Sequence, residues 1–295
     1  MRSYEYCTLD VFTDRRFGGN PLAVVLDADG IDDATMQQVA REFNYSETTF
    51  VLPPSDVTHT ARVRIFTPGG ELPFAGHPTV GTAYALATLG RIPAQVRDIV
   101  FEEGVGPIPI RVDRDADGSI RRCVLTTAQA PTLVESLGDR RAIAEMLNLC
   151  ESAVVADAEI WSCGVPFLVT PLADTGALAS ARLDIGRCHA LLDGRKTQKV
   201  YPVARSGDAQ WRVRMFAPGL GVPEDPATGS AAAALAGWLA RRVPGDSDRS
   251  WQILQGQEID RPSTIELQYE QTGTVARRVR VGGAAVMFAR GTLAL

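Results

Sequence analysis

Two stretches of this chain place small or hydrophobic residues on every side. Residues 77–90 (HPTVGTAYALATLG) and 228–240 (TGSAAAALAGWLA) are helix-length, and neither offers a polar face. A helix without a polar face is buried all round, so each run predicts a helix at the centre of a fold. Alanine is the strongest helix former, and Leu235, Trp238 and Leu239 give the second run core-sized anchors. Short β-branched and aromatic runs surround these helices. Residues 5–12, 22–26, 48–52, 60–66, 99–101, 108–112 and 123–127 predict strands in the first half. Residues 164–172, 211–216, 251–254, 264–270, 275–281 and 285–294 do so in the second. Asp32-Asp33 ahead of Met36, Val39, Ala40 and Phe43 predicts a capped amphipathic helix ending near Asn44. Residues 140–149 and 185–193 read as further helices, and the acidic, glycine-containing 113–118 as a hairpin turn.

The two buried helices belong to a larger repeat. Gly19-Asn20-Pro21-Leu22 is echoed by Gly164-Val165-Pro166-Phe167, each opening an apolar strand. Arg64-Ile65-Phe66-Thr67-Pro68-Gly69 is echoed by Arg214-Met215-Phe216-Ala217-Pro218-Gly219. His77-Pro78-Thr79-Val80-Gly81-Thr82-Ala83 is echoed by Asp225-Pro226-Ala227-Thr228-Gly229-Ser230-Ala231. Three echoes in one order indicate a duplicated half. The length of 295 residues agrees, since it suits two domains better than one core. The expected division is 1–127, completed by a last strand at about 284–295, and 128–283. In each copy a strand leads through a Pro/Gly-rich loop to a helix opening His-Pro or Asp-Pro. Proline suits a first helical turn, where its missing N–H has no partner to lose. Asp225 reads as an N-cap, whereas His77 is not a preferred capping residue and so hints at another role. Helix starts carry free N–H groups and partial positive charge, which favours anions. Gly81 and Gly229 read as places where a ligand or backbone approaches closely. A twofold-like arrangement of the halves predicts a site in the cleft where the two helix starts meet.

Composition narrows the function classes. The net charge of −5 and pI near 5.3 lack the basic footprint that nucleic acid or anionic membrane requires. No run of 18 apolar residues occurs and the start shows no signal-peptide pattern, so a cytoplasmic enzyme is expected. The five cysteines are widely spaced without a CxxC pair, which suits reduced, mostly buried thiols, and the three histidines show no zinc spacing. There is no GxSxG elbow, no GxxxxGK[ST] loop and no GxGxxG between strand and helix.

The remaining candidate chemistry is acid–base. Glu47, in Asn44-Tyr45-Ser46-Glu47-Thr48-Thr49-Phe50, is a lone carboxylate heading an apolar strand. It reads either as an exposed strand-end charge or as a general base or acid. His77 is either a satisfied helix-start histidine or a site group, and Asp225 either a plain cap or a site group. Ser230 is either a small packing residue or a ligand contact. Glu71 reads as a solvated loop charge and Glu224 as a solvated neighbour of Asp225. Taken together, Glu47, His77 and Asp225 with two helix starts suit proton abstraction beside a carboxylate, the developing charge held by N–H groups.

These residues resemble a known family. Asp10-Val11-Phe12-Thr13, Gly19-Asn20-Pro21-Leu22-Ala23-Val24-Val25, Ser46-Glu47-Thr48-Thr49-Phe50, Gly76-His77-Pro78-Thr79-Val80-Gly81-Thr82-Ala83 and Glu224-Asp225-Pro226-Ala227-Thr228-Gly229-Ser230-Ala231 are similar to motifs of the PhzF-like (phenazine biosynthesis) family. The resemblance implies an α+β, diaminopimelate epimerase-like fold of two pseudo-symmetric halves. Each half would be a curled, mostly antiparallel sheet around a central helix. It also implies a cofactor-independent isomerase, typically a homodimer, acting on a small carboxylate-bearing substrate. In the phenazine enzyme a proton moves between ring carbons of a dihydro-hydroxyanthranilate. By resemblance, Glu47 is the residue that takes and returns the proton. His77, Asp225 and Ser230 bind and orient the substrate, together with Ser46, Thr228 and backbone N–H groups near Gly76 and Gly229. Epimerases of the wider fold place a cysteine pair at the two helix starts; this chain has Gly76-His77 and Asp225 there, which disfavours a two-thiol mechanism. A binding module that has lost turnover, and a lyase using Glu47 as base, stand as alternatives.

Overall fold

The computed structural model describes residues 2–220 and 222–295, and the chain divides into two compact units. The first comprises Met1–Ala128 with Gly282–Leu295, the second Gln129–Val281. The first unit opens with β1 (Ser3–Val11), β2 (Asn20–Val25), α1 (Asp33–Phe43) and β3 (Glu47–Leu52). It continues with β4 (Ala61–Thr67), β5 (Gly70–Leu72), α2 (Gly76–Thr88), β6 (Asp98–Glu103), β7 (Gly106–Arg114) and β8 (Ile120–Thr126). The ends of α1 follow local chemistry. The Asp32 side chain accepts from the Thr35 N–H, and Asn44 closes the helix in the left-handed region at φ 52°.

The pairing alternates. β1 is antiparallel to β2, β2 parallel to β3, β3 antiparallel to β4, β4 parallel to β6, and β6 antiparallel to β7. β8 extends the series antiparallel to β7. A parallel pair needs a crossover. α1 is the crossover between β2 and β3, and α2 the crossover between β4 and β6.

The second unit contains β9 (Thr132–Leu137), α3 (Arg140–Met146), β10 (Ala158–Ser162), β11 (Pro166–Pro171), α4 (Thr175–Ser180) and α5 (Ile185–Leu192). β12 (Val200–Gly207), β13 (Gln210–Val213), α6 (Gly229–Arg242), β14 (Ser247–Gln255), β15 (Ser263–Thr272) and β16 (Val275–Gly283) follow. Its pairing repeats the first unit's order. β10 is antiparallel to β11, β11 parallel to β12, β12 antiparallel to β13, β13 parallel to β14, and β14 antiparallel to β15. α4 and α5 cross between the first parallel pair, α6 between the second. The final strand, β17 (Ala285–Ala294), returns to the first unit and pairs with β1, as β9 pairs with β10. The duplication therefore extends from the three sequence echoes to the whole strand topology.

Each sheet curls around its own helix. α2 packs against β1, β2 and β3 at one end of the sheet, against β7 and β8 at the other, and against β17. α6 packs against β9, β10, β11 and β15. Nearly every residue of both helices is buried, as their lack of a polar face requires. Gly81 serves this packing rather than a ligand. A Cβ there would stand 2.5 Å from Leu22 Cδ2 and 2.6 Å from Val11 Cγ2. Gly237 plays the same part in α6, where a Cβ would meet the Trp161 ring at 2.4 Å.

Candidate active site

α2 brings two of the predicted site residues together. Its N-cap is Ala75, which supplies no side-chain hydrogen bond, and Gly76, His77 and Pro78 form its first turn. The N–H groups of this turn have no partners within the helix. His77 is 5% exposed, and its Nε2 lies 3.4 Å from Glu47 Oε2. Glu47 is the first residue of β3, its side chain 15% exposed, directly beside Leu22 of β2 in the parallel register.

The sequence dictates how the histidine is held. Its ring hydrogen-bonds the backbone of Pro21. Proline has no N–H, so a ring nitrogen must donate to the Pro21 carbonyl. With Nε2 making no hydrogen bond among the described residues, that donor is Nδ1. The Gly-Asn-Pro-Leu turn therefore does more than open a strand, because it fixes the tautomer of His77. Burial pulls the imidazole down from its ordinary 6.5 to about 3, against the Pro21 hydrogen bond, so His77 is neutral at physiological pH. A neutral ring with Nδ1–H presents the Nε2 lone pair to Glu47. That contact is attractive when a proton lies between the two atoms.

This has a consequence for stability. Between pH 3 and 6.5 the folded state binds fewer protons at His77 than the unfolded state does. The contribution is complete above about 6.5 and is lost as pH falls toward 3. Urea unfolding between pH 4.5 and 7 is expected to show stability rising with pH, with a shallower rise in His77→Gln. Equal slopes would rule out a neutral buried histidine.

Hydroxyls and a carboxyl tie α2 to its sheet. Thr82 and Thr49 share a buried 2.8 Å hydrogen bond. Thr79 Oγ1 lies 2.8 Å from the Ala75 carbonyl and 2.6 Å from Glu103 Oε1. Burial pushes the Glu103 carboxyl up to about 8, with the Thr79 hydrogen bond acting the other way. One hydroxyl proton cannot serve both acceptors, so a protonated Glu103 donating to Thr79 satisfies the set.

The second unit differs from expectation. Asp225 is not an N-cap: α6 starts at Gly229 with Thr228 as its cap residue, and Pro226 lies outside the helix. Residues 225–228 stay unwound because they have other partners. Thr228 Oγ1 donates to Asp225 Oδ2 at 2.5 Å, and Gln255 Nε2 donates to the Asp225 carbonyl at 2.8 Å. Ser263 Oγ lies 2.9 Å from both the Pro226 and the Arg261 carbonyl oxygens. Asp225 and Thr228 are buried, while Ser230, second in the helix, is half-buried. Ser46, just before β3, is also half-buried.

Glu71 is exposed, as expected, whereas Glu224, read as solvated, is largely buried; each is held by an arginine. Arg64 grips Glu71 with two 2.7 Å hydrogen bonds, and Arg214 grips Glu224 at 2.8 and 2.7 Å. Each arginine also lies over the phenylalanine two residues on, Phe66 at 5.1 Å and Phe216 at 4.8 Å. The Arg-x-Phe echo therefore encodes a strut that fixes the loop ahead of each central helix.

Among the described residues, no group of three or more His, Cys, Asp or Glu is placed to hold a metal ion. Four cysteines are buried and Cys150 is exposed. No described helix is long and apolar enough to cross a membrane.

The chain thus has a two-unit α+β fold with a carboxyl–imidazole contact at a buried helix start. The chain belongs to the phenazine biosynthesis-like protein family, whose pattern it matches over residues 9–291. It is 41% identical to an uncharacterized isomerase of Mesorhizobium japonicum, over 99% of both chains. It is 36% identical to the trans-2,3-dihydro-3-hydroxyanthranilate isomerase of Pseudomonas chlororaphis, over 99% of this chain and 100% of that one. The fold matches a PhzF-family protein of Bacillus anthracis with TM-score 0.87 over all of both chains, at 23% identity. The protein is an isomerase of the epimerase-like fold.

Proposed function

We propose that the protein moves a proton between carbons of a small, unsaturated, carboxylate-bearing substrate without a cofactor, and that Glu47 takes and returns that proton. The observation that carries this reading is the Glu47–His77 contact at 3.4 Å beside a histidine kept neutral by burial. In the first half-reaction Glu47 removes a proton from carbon and the bonding electrons spread into the conjugated acid. In the second, Glu47 returns the proton to another carbon of the same system, leaving the enzyme unchanged. His77 Nε2 accepts from the carboxylic acid form and orients it. The N–H groups of Gly76 and Gly229, each first in its helix, suit the substrate's acid function. Asp225, Thr228 and Ser230 suit its amino or hydroxyl groups. The names of the Pseudomonas relatives support trans-2,3-dihydro-3-hydroxyanthranilate, or a close analogue, as substrate.

A label experiment tests the shuttle. With substrate deuterated at the donor carbon, in ordinary water, part of the product is expected to carry deuterium at the acceptor carbon. One carboxyl that both takes and returns the proton preserves some label. Complete washout in every turnover would rule out a single-residue shuttle. If no unsaturated acid is converted, the proposed substrate class is wrong.

A further inference from the structure

Gln255 is fully buried at the end of β14, and no sequence motif points to it. All its polar atoms are directed at the Asp225 loop. Nε2 donates to the Asp225 carbonyl at 2.8 Å and to Thr228 Oγ1 at 3.0 Å, while Oε1 accepts from the Thr228 N–H at 3.2 Å. A hydroxyl has one proton. Because Thr228 Oγ1 receives a hydrogen from Gln255, its own proton is directed to Asp225 Oδ2, 2.5 Å away. The neighbouring backbone keeps this register. Gly256 sits at φ +80°, where a Cβ would fall 2.7 Å from the Pro226 carbonyl oxygen and 2.3 Å from that of Arg261. Ser263, paired with Gln255 across the strands, places its hydroxyl 2.9 Å from the Pro226 and Arg261 carbonyls.

We propose that Gln255 is a positioning residue for the reaction: by donating to Thr228 it points the Thr228 hydroxyl at Asp225 Oδ2, fixing the orientation of the Asp225 carboxylate. This rests on the assignment of Asp225 to substrate binding. An amide is required, since its NH2 serves Thr228 and the Asp225 carbonyl while its oxygen serves the Thr228 N–H. A carboxylate keeps the oxygen and loses the donors. Thr228 then donates to residue 255, and two carboxylates compete for one proton.

Charged and titratable groups lie on the elements around this position, among them Arg261, whose N–H donates to the Gly256 carbonyl at 2.9 Å. Asp225 is on the facing loop. Tyr201 of β12 is buried, and its hydroxyl has no hydrogen-bond partner among the described residues; burial raises it strongly and the charge of Asp225 raises it further, so it stays neutral. Arg212 of β13 and Glu258, in the turn after Gln255, pair with each other at 2.8 Å.

The test compares Gln255→Glu, which is isosteric, with Gln255→Met, which keeps volume without polarity. The probe is trans-2,3-dihydro-3-hydroxyanthranilate. For Gln255→Glu at pH 8, kcat/KM is expected to fall about 30-fold or more, mostly through KM, as for a lost charge-assisted contact. As pH drops toward 5.5 the new carboxyl protonates, its O–H replaces the lost donor, and the deficit shrinks to about 5-fold or less. Gln255→Met stays impaired across the range. A deficit in Gln255→Glu that does not change with pH, or none at all, overturns the proposal. Retained turnover in Glu47→Gln would instead overturn the proton-shuttle reading. A readout without substrate decides the matter if the probe is not turned over. The unfolding midpoint of Gln255→Glu, relative to wild type, should fall between pH 5.5 and 8, because a buried carboxyl facing Asp225 resists ionisation. A constant difference overturns the proposal equally.

Discussion

Glu47→Gln is expected to lower kcat by about 10³-fold or more with little change in KM, at the upper part of the range for a positioned acid–base group. The substitution keeps shape and removes the charge and the capacity to carry a proton. The glutamine amide can still donate to His77 Nε2, which is an acceptor because the ring is neutral and Nδ1 is committed to Pro21. Folding should therefore be nearly unaffected, with unfolding free energy within about 0.5 kcal/mol of wild type, as for an isosteric substitution that keeps a donor toward His77. That pairing of a large kinetic loss with unchanged stability separates a proton carrier from a structural strand-end residue. Turnover within threefold of wild type would remove Glu47 from the mechanism. A comparable loss accompanied by unfolding would mean that the glutamate holds β3 in place. His77→Gln provides the contrast. It leaves the carboxyl intact, so a smaller loss, about 10²-fold, is expected from misorientation alone.

The parts legible in the sequence were those carried by local pattern. α2 and α6 were visible because a helix with no polar face has one destination. α1 was visible through Asp32 and Asn44 at its ends. The duplication was visible through three echoed motifs, and it supports the same alternating strand order in both units. What depends on distant partners was not legible. β10, β12 and α4 escaped notice: β10 interrupts its apolar run with Glu159, whose carboxylate caps Trp161 Nε1 and meets Arg242, and β12 begins as Val-Tyr-Pro. Asp225 has a capping residue's identity and a proline after it. Local rules therefore placed it at a helix start, yet Gln255, 30 residues on, holds the loop unwound. Glu224 looked solvated because nothing in a one-dimensional pattern shows that Arg214 folds back onto it. The role of Pro21 lay inside a recognised motif, but its carbonyl became meaningful only once His77 stood beside it.

The two arginine struts should differ sharply in cost although their motifs match. Arg214 is 4% exposed and its partner Glu224 10%, whereas Arg64 and Glu71 are 22% and 42% exposed. Arg214 also donates to the carbonyls of Leu178 and Ala181 at 3.1 and 2.7 Å, so it joins α4 to the Asp225 loop. Removing it leaves a buried carboxylate without its cation and two carbonyls without a donor. Arg214→Met is therefore expected to destabilise by about 3–5 kcal/mol. Arg64→Met breaks a pair that water can replace, and Asp33 at 2.6 Å is an exposed partner, so about 1 kcal/mol or less is expected. Urea unfolding of both variants measures the difference, and equal costs would show that burial does not decide the strength of these pairs. The double variant Arg214→Met/Glu224→Leu should recover much of the loss, because the main penalty is the stranded charge rather than the missing attraction. Its turnover should stay low even so. An apolar pair can fill the space, but it cannot hold residue 224, and with it Asp225, at a fixed distance from β13.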